Sequence, residues 1–139
     1  MAEDTLRSVS LRRASAGTFV ATNVRGGELT FGGADDQFSP VELLLVAIAG
    51  CTAMDVDVLT TRRAEPDAFE VQATADKISD GSGNHLENIA LTFRVTFPEG
   101  EGGDAARALL PDAVAKSHDR LCTVSRTVEL GTPIATHIE

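Results

Sequence analysis

An α+β fold, with antiparallel sheets around buried helices, is what this sequence predicts, on three observations. The run from Leu43 to Cys51 is apolar or Gly on every side, and a helix with no polar face is buried all round. Strand-like runs come in groups, three before that helix and two after it, so the sheet is antiparallel and not doubly wound. The 139 residues suit a single domain, residues 1–139. One antiparallel sheet covers only one side of such a helix, and a chain this short hardly provides a second cover. A partner subunit is the economical solution: a homodimer with two central helices buried between two sheets.

The elements follow in order. Residues 5–13 alternate in part, with Leu6, Val9 and Leu11 against Arg7, Ser8 and Arg12. Gly17 separates them from the β-rich run Thr18 to Val24, and the turn Arg25-Gly26-Gly27 leads into Glu28-Leu29-Thr30-Phe31. This reads as a three-stranded meander. A loop from Gly32 to Phe38 enters the central helix, where Ser39 is the N-cap, Pro40 the first helical residue and Glu42 a first-turn acid. The unbroken apolar run ends at Asp55, short of the roughly 20 residues that span a membrane. The helix is then expected to exit toward solvent, with Arg62 and Arg63 at its C-terminal end.

Beyond Glu65-Pro66-Asp67, the runs Phe69 to Asp76 and Ile89 to Phe97 alternate with period two about the turn cluster Asp80 to Asn84. They make a long hairpin with one solvated face. Gly100 to Gly103 reads as a loop. Asp104 to Asp119 has helical spacing, with Pro111 inside it as a source of a kink. Thr123 to Leu130 is a short helix closed by Gly131, and Pro133 to Ile138 a final strand.

Composition excludes several classes of function. A net charge of -9 repels polyanions, so no nucleic-acid partner is expected. Met1-Ala2-Glu3-Asp4 is acidic and opens no apolar stretch, which implies no signal peptide, no membrane and a cytoplasmic location. There thiols are reduced by default, and a disulfide is transient and catalytic or redox-sensing. The two cysteines, far apart in sequence, make neither a zinc site nor a thioredoxin-type pair. His118 and Cys122 are spaced i, i+4 but bring no further ligands, and the glycine pairs form no phosphate loop. No cofactor and no metal are expected.

The chemistry therefore falls to the thiols. Cys51 lies in the buried helix. Burial alone raises a thiol pKa and leaves it inert, so a nucleophilic Cys51 needs a cation or hydrogen-bond donors beside it. Cys122 follows His118-Asp119-Arg120-Leu121 and precedes the short helix, where exposed N–H groups and the helix dipole favour a thiolate. Asp55, four residues after Cys51 and on the same helix face, would anchor an Arg or oppose ionisation of the thiol.

Two segments, Ser39 to Leu45 running on through Gly50-Cys51-Thr52-Ala53-Met54-Asp55-Val56, and His118 through Cys122 to Gly131, resemble the two cysteine motifs of the OsmC/Ohr family. The order of strands and helices is similar from about residue 5 to residue 138. The resemblance implies an OsmC-like intertwined homodimer and a cytoplasmic thiol peroxidase acting on small organic hydroperoxides in peroxide stress defence. It makes Cys51 the peroxidatic thiol and Cys122 the resolving one, with a dithiol as reductant, a lipoyl one in the better-studied relatives. It also implies an Arg that holds the thiolate and a Glu that holds the Arg. Arg25 is the candidate for the first and Glu42 for the second. In the hydroperoxide resistance proteins the Glu directly follows the Pro, a place held here by Val41. Glu42 lies about 180° around the helix from Cys51, against about 80° for Val41. The rival reading is a non-enzymatic binder of an apolar ligand, or a redox sensor, on the same fold.

Overall fold

The computed structural model describes residues 5–139; the acidic stretch at residues 1–4 lies outside the described residues. The architecture is α+β, with two antiparallel sheets and three helices. The chain divides into two compact units, Met1–Leu44 and Leu45–Glu139.

The first unit is the expected meander: β1 (Val9–Ser15), β2 (Thr18–Asn23) and β3 (Glu28–Gly32), hydrogen-bonded in that order. Phe19 pairs with Phe31 across β2 and β3, and their rings stack at 6.1 Å. Val20 and Phe31 are buried. Asn23 builds the β2–β3 turn, its side-chain oxygen accepting from the amides of Arg25 (2.9 Å) and Gly27 (3.0 Å). Gly26 at φ 90° takes the left-handed position that this turn requires.

Helix α1 (Pro40–Thr61) begins in the first unit. Its start is a reciprocal capping box: Glu42 N donates to Ser39 Oγ (3.1 Å), and Ser39 N donates to Glu42 Oε1 (2.9 Å). Three expectations for this helix need correction. Its 22 residues run past Asp55 and are long and apolar enough, by length and composition, to cross a membrane, a test that the core helix of a soluble protein also passes. Only Ile48, Thr52, Val56 and Thr60 are buried, because one chain covers one i, i+4 face and no more. Val56 and Thr60, both at 0% exposure, keep that face covered where the helix was expected to surface. The last turn holds no basic residue, and Arg62 and Arg63 fall in the turn beyond it.

The second unit adds the hairpin β4 (Ala68–Asp80) and β5 (Gly83–Thr96). Asp80 closes its tip by accepting from Ser82 N (2.8 Å) and Ser82 Oγ (2.6 Å). The register slips between Thr74 and Asp76. There Asn88 takes a positive φ of 55° and donates to Asp76 Oδ2 at 2.9 Å, a bulge held by an Asn in place of Gly.

Helix α2 (Glu101–Lys116) contains Gly102 and Gly103, which the sequence placed in a loop. The reason is close packing: a Cβ on Gly103 would collide with the Pro98 carbonyl, and one on Gly102 with Arg63 O. The helix continues through Pro111 into a π-helical turn (Ser117–Leu121), and α3 (Thr123–Leu130) follows. Gly131, at φ 64°, closes α3 as expected. The final strand is not formed. Residues 132–139 make no regular element, and Ile134 and Ile138 are exposed. Alternation marks two faces, but a strand exists only where a neighbour completes its ladder.

Candidate active site

Both cysteines lie in the second unit, and their thiols interact. Cys51 sits mid-way along α1, half-buried; Cys122 is the N-cap of α3 and wholly buried, and both thiols are free. The π-helical turn delivers Cys122 to that cap, its amide donating to Ser117 O at 2.8 Å. Ser117, itself buried, donates to Asp55 Oδ2 at 2.8 Å, which fastens the turn to α1 one helical turn beyond Cys51.

The opening amides of α3 serve both sulfurs. Ser125 N donates to Cys122 Sγ at 3.3 Å, and the amide of Val124 lies close enough to Cys51 to lower its pKa. Such amides have no partner inside the helix, and a capping sulfur satisfies them. Thr52 Oγ1 donates to Cys122 Sγ at 3.5 Å. The Cys122 thiol lies 3.2 Å from Ser125 Oγ, to which it donates; once ionised, the sulfur accepts from that hydroxyl instead. The two thiols also interact with each other, which raises the pKa of Cys51 and lowers that of Cys122.

These contacts push the two thiols apart in acidity. For Cys122 the largest influence, burial, raises the pKa. Donors from the Ser125 hydroxyl, Thr52, the Ser125 amide and Cys51 together outweigh it and bring the pKa below the ordinary thiol value. Burial also leads for Cys51 and raises its pKa. The Val124 amide opposes this, but Cys122 and the Asp55 carboxylate raise it further, and the net shift is upward. None of these influences on Cys51 is a cation. Of the two thiols, Cys122 is therefore the more readily ionised.

Arg25 and Glu42 belong to the first unit. Arg25 is an exposed residue of the Asn23 turn, and the Glu42 carboxylate closes the capping box of α1. Sequence reasoning passed over Thr52 and Ser125. Their signal was present, a hydroxyl directly after Cys51 and another three residues after Cys122, where an N-cap receives the N3 amide.

A cavity of about 390 Å³ lies beside Thr52 and Ser125. Ile48, Ile89, Leu91 and Phe93 supply apolar wall, and Thr52 and Ser125, the two hydroxyl residues at Cys122, line it as well. His118 and Glu129, joined at 2.8 Å, complete its polar side. Among the described residues no group of three or more His, Cys, Asp or Glu is placed to hold a metal ion.

Residues 33–137 match the family described as OsmC-like protein. The chain is a member of the OsmC-like family. Among its relatives, Protein YhfA of Escherichia coli K12 is 30% identical over 115 residues, covering 81% of each chain. Two solved structures share the OsmC-like fold. An OsmC-like protein of unknown function from Vibrio cholerae aligns with a TM-score of 0.73 at 11% identity, over 91% of this chain and 95% of the other. The organic hydroperoxide resistance protein OhrB of Bacillus subtilis aligns at 0.53 and 19%, over 88% and 90%. The cysteine pair of this OsmC-like chain thus sits on a fold shared with a protein named for hydroperoxide resistance.

Proposed function

We propose that this OsmC-like chain is a cytoplasmic thiol peroxidase that reduces small organic hydroperoxides and works as a homodimer. One observation carries the reading: two cysteines far apart in sequence are brought together, the Thr52 hydroxyl beside Cys51 donating to the Cys122 sulfur at 3.5 Å, in a chain of this family. In the proposed cycle a Cys51 thiolate attacks the terminal peroxide oxygen. The S–O bond forms, the O–O bond breaks, and the alcohol leaves with a proton. Cys122 then attacks the sulfenic acid, expelling hydroxide and giving the disulfide, which an external dithiol such as a lipoyl group reduces. Because its neighbours in the second unit raise the Cys51 pKa, the cycle needs a cation. That role is assigned to Arg25, with Glu42 to order it.

The homodimer reading is supported by α1. Val41, Leu44, Val46, Met54 and Val58 are all exposed on this helix, and covering what each still exposes would contribute on the order of 1 kcal/mol apiece.

The rival reading, an apolar-ligand binder or redox sensor, draws on the cavity beside Thr52 and Ser125. Consumption of cumene hydroperoxide with a dithiol separates the two. Turnover in the wild type, none in Cys51→Ser, and a single turnover in Cys122→Ser ending in a dimedone-trappable sulfenic acid are expected. Equal rates in wild type and Cys51→Ser would exclude the peroxidase. Reduced activity in Arg25→Ala and Glu42→Gln, with folding intact, is the result expected if these residues serve the thiolate.

A further inference from the structure

We propose that Thr52 and Ser125 are positioning residues whose hydroxyls hold the Cys122 sulfur as an anion facing Cys51, so that disulfide formation outpaces further oxidation of Cys51. The kinetic consequence rests on the peroxidase reading; the ionised sulfur rests on the hydrogen-bond geometry at Cys122.

Cys122 has no exposed surface, and Thr52 and Ser125 are 3% and 7% exposed. A thiol so enclosed stays protonated unless donors replace the water it has lost. Here Thr52 Oγ1 at 3.5 Å and Ser125 N at 3.3 Å donate to the sulfur, and Ser125 Oγ, which accepts from the thiol at 3.2 Å, turns to donate once the sulfur is ionised. The same accounting applies to the hydroxyls. Burying one without a partner is costly, and Val at 52 or Ala at 125 would fill the space without that cost. Two buried hydroxyls converging on one sulfur from different helices are thus explained by the sulfur.

The titratable groups at the pair are Cys51 and Asp55, both on α1. Asp55 raises the pKa of Cys51, which leaves Cys122 the more readily ionised thiol of the pair. When Cys51 becomes a sulfenic acid, the interaction between the two thiols is lost, but Thr52 and Ser125 remain in place. The Cys122 thiolate then forms the S–S bond as the S–O bond breaks; hydroxide departs and takes a proton from solvent to become water. No deprotonation of a buried thiol has to precede the step, so Cys51 spends less time exposed to a second peroxide.

Thiolate absorbance near 240 nm, followed against pH in the full chain carrying Cys51→Ser, tests the proposal. The chain has no Tyr or Trp to obscure the signal. The midpoint is expected below that of an ordinary thiol, and Thr52→Val and Ser125→Ala should each raise it by about one pH unit. Thr52→Ser and Ser125→Thr, which keep the hydroxyl, should leave it in place. Should Ser125→Ala fail to fold, Thr52→Val, nearly equal in volume, carries the test alone. A midpoint unmoved by removing the hydroxyls from a folded chain overturns the proposal. With Cys51 restored, Thr52→Val should increase several-fold the fraction of Cys51 driven to sulfinic acid per turnover, read by mass. A shifted midpoint in a chain that consumes no peroxide would uphold the anion and defeat the peroxidase reading instead.

Discussion

His118 stands between two carboxylates, with Nδ1 3.1 Å from Asp119 Oδ1 and Nε2 2.8 Å from Glu129 Oε1. The hydrogen bond to Asp119, then the charge of Glu129, raise its pKa above the ordinary histidine value. A group whose pKa is raised by folding stabilises the fold below its unfolded pKa and loses that contribution as pH rises through the folded value. All three side chains are more than half exposed, so the contribution is less than about 1 kcal/mol. The urea midpoint of the wild type should therefore fall between about pH 6 and pH 8 by more than that of His118→Gln; equal slopes would remove the histidine from the account. At this scale the cysteines were legible, because few residue types do thiol chemistry and the chain has two. The ion pair and the two buried hydroxyls were not. Ser125 and Thr52 read as ordinary helical residues until the π-helical turn brings Cys122 to α1.

Among the elements, α3 was legible to the residue, from Thr123 to the left-handed Gly131, because both ends carry local signals. The start of α2 was not. Gly102 and Gly103 have poor helix propensity and look like a loop, but a glycine in the first turn lets the helix approach Pro98 and Arg63 more closely than any side chain allows. Gly103→Ala would improve the propensity and still destabilise the chain, by about 1–3 kcal/mol, through overpacking. Denaturant unfolding checks this, and a stabilised variant would contradict the packing argument. In α1 the capping box predicts a loss of about 1 kcal/mol for Ser39→Ala, read the same way.

For the whole molecule, the α+β class and the family were legible because two motifs stand in the right order on a regular succession of strands and helices. The burial of α1 was not, since a sequence cannot say which atoms cover an apolar helix. One chain buries only the Ile48–Thr60 face and leaves Ile134 and Ile138 exposed beyond α3. If a second copy covers α1, Met54→Glu and Val58→Glu, at exposed positions of the helix, should shift sedimentation from dimer to monomer. A wild type that sediments as a monomer at all concentrations would refute the dimer.

The most direct measurement is on the sulfurs themselves. The reduced chain is mixed with one equivalent of an alkyl hydroperoxide, and free thiols and intact mass are followed together. The account predicts that both thiols disappear at the same rate, with the mass falling by two hydrogens and a Cys51–Cys122 cross-link recovered on digestion. Two thiols still titratable after the peroxide is added, or a single thiol lost with oxygen gained and no cross-link, would contradict it.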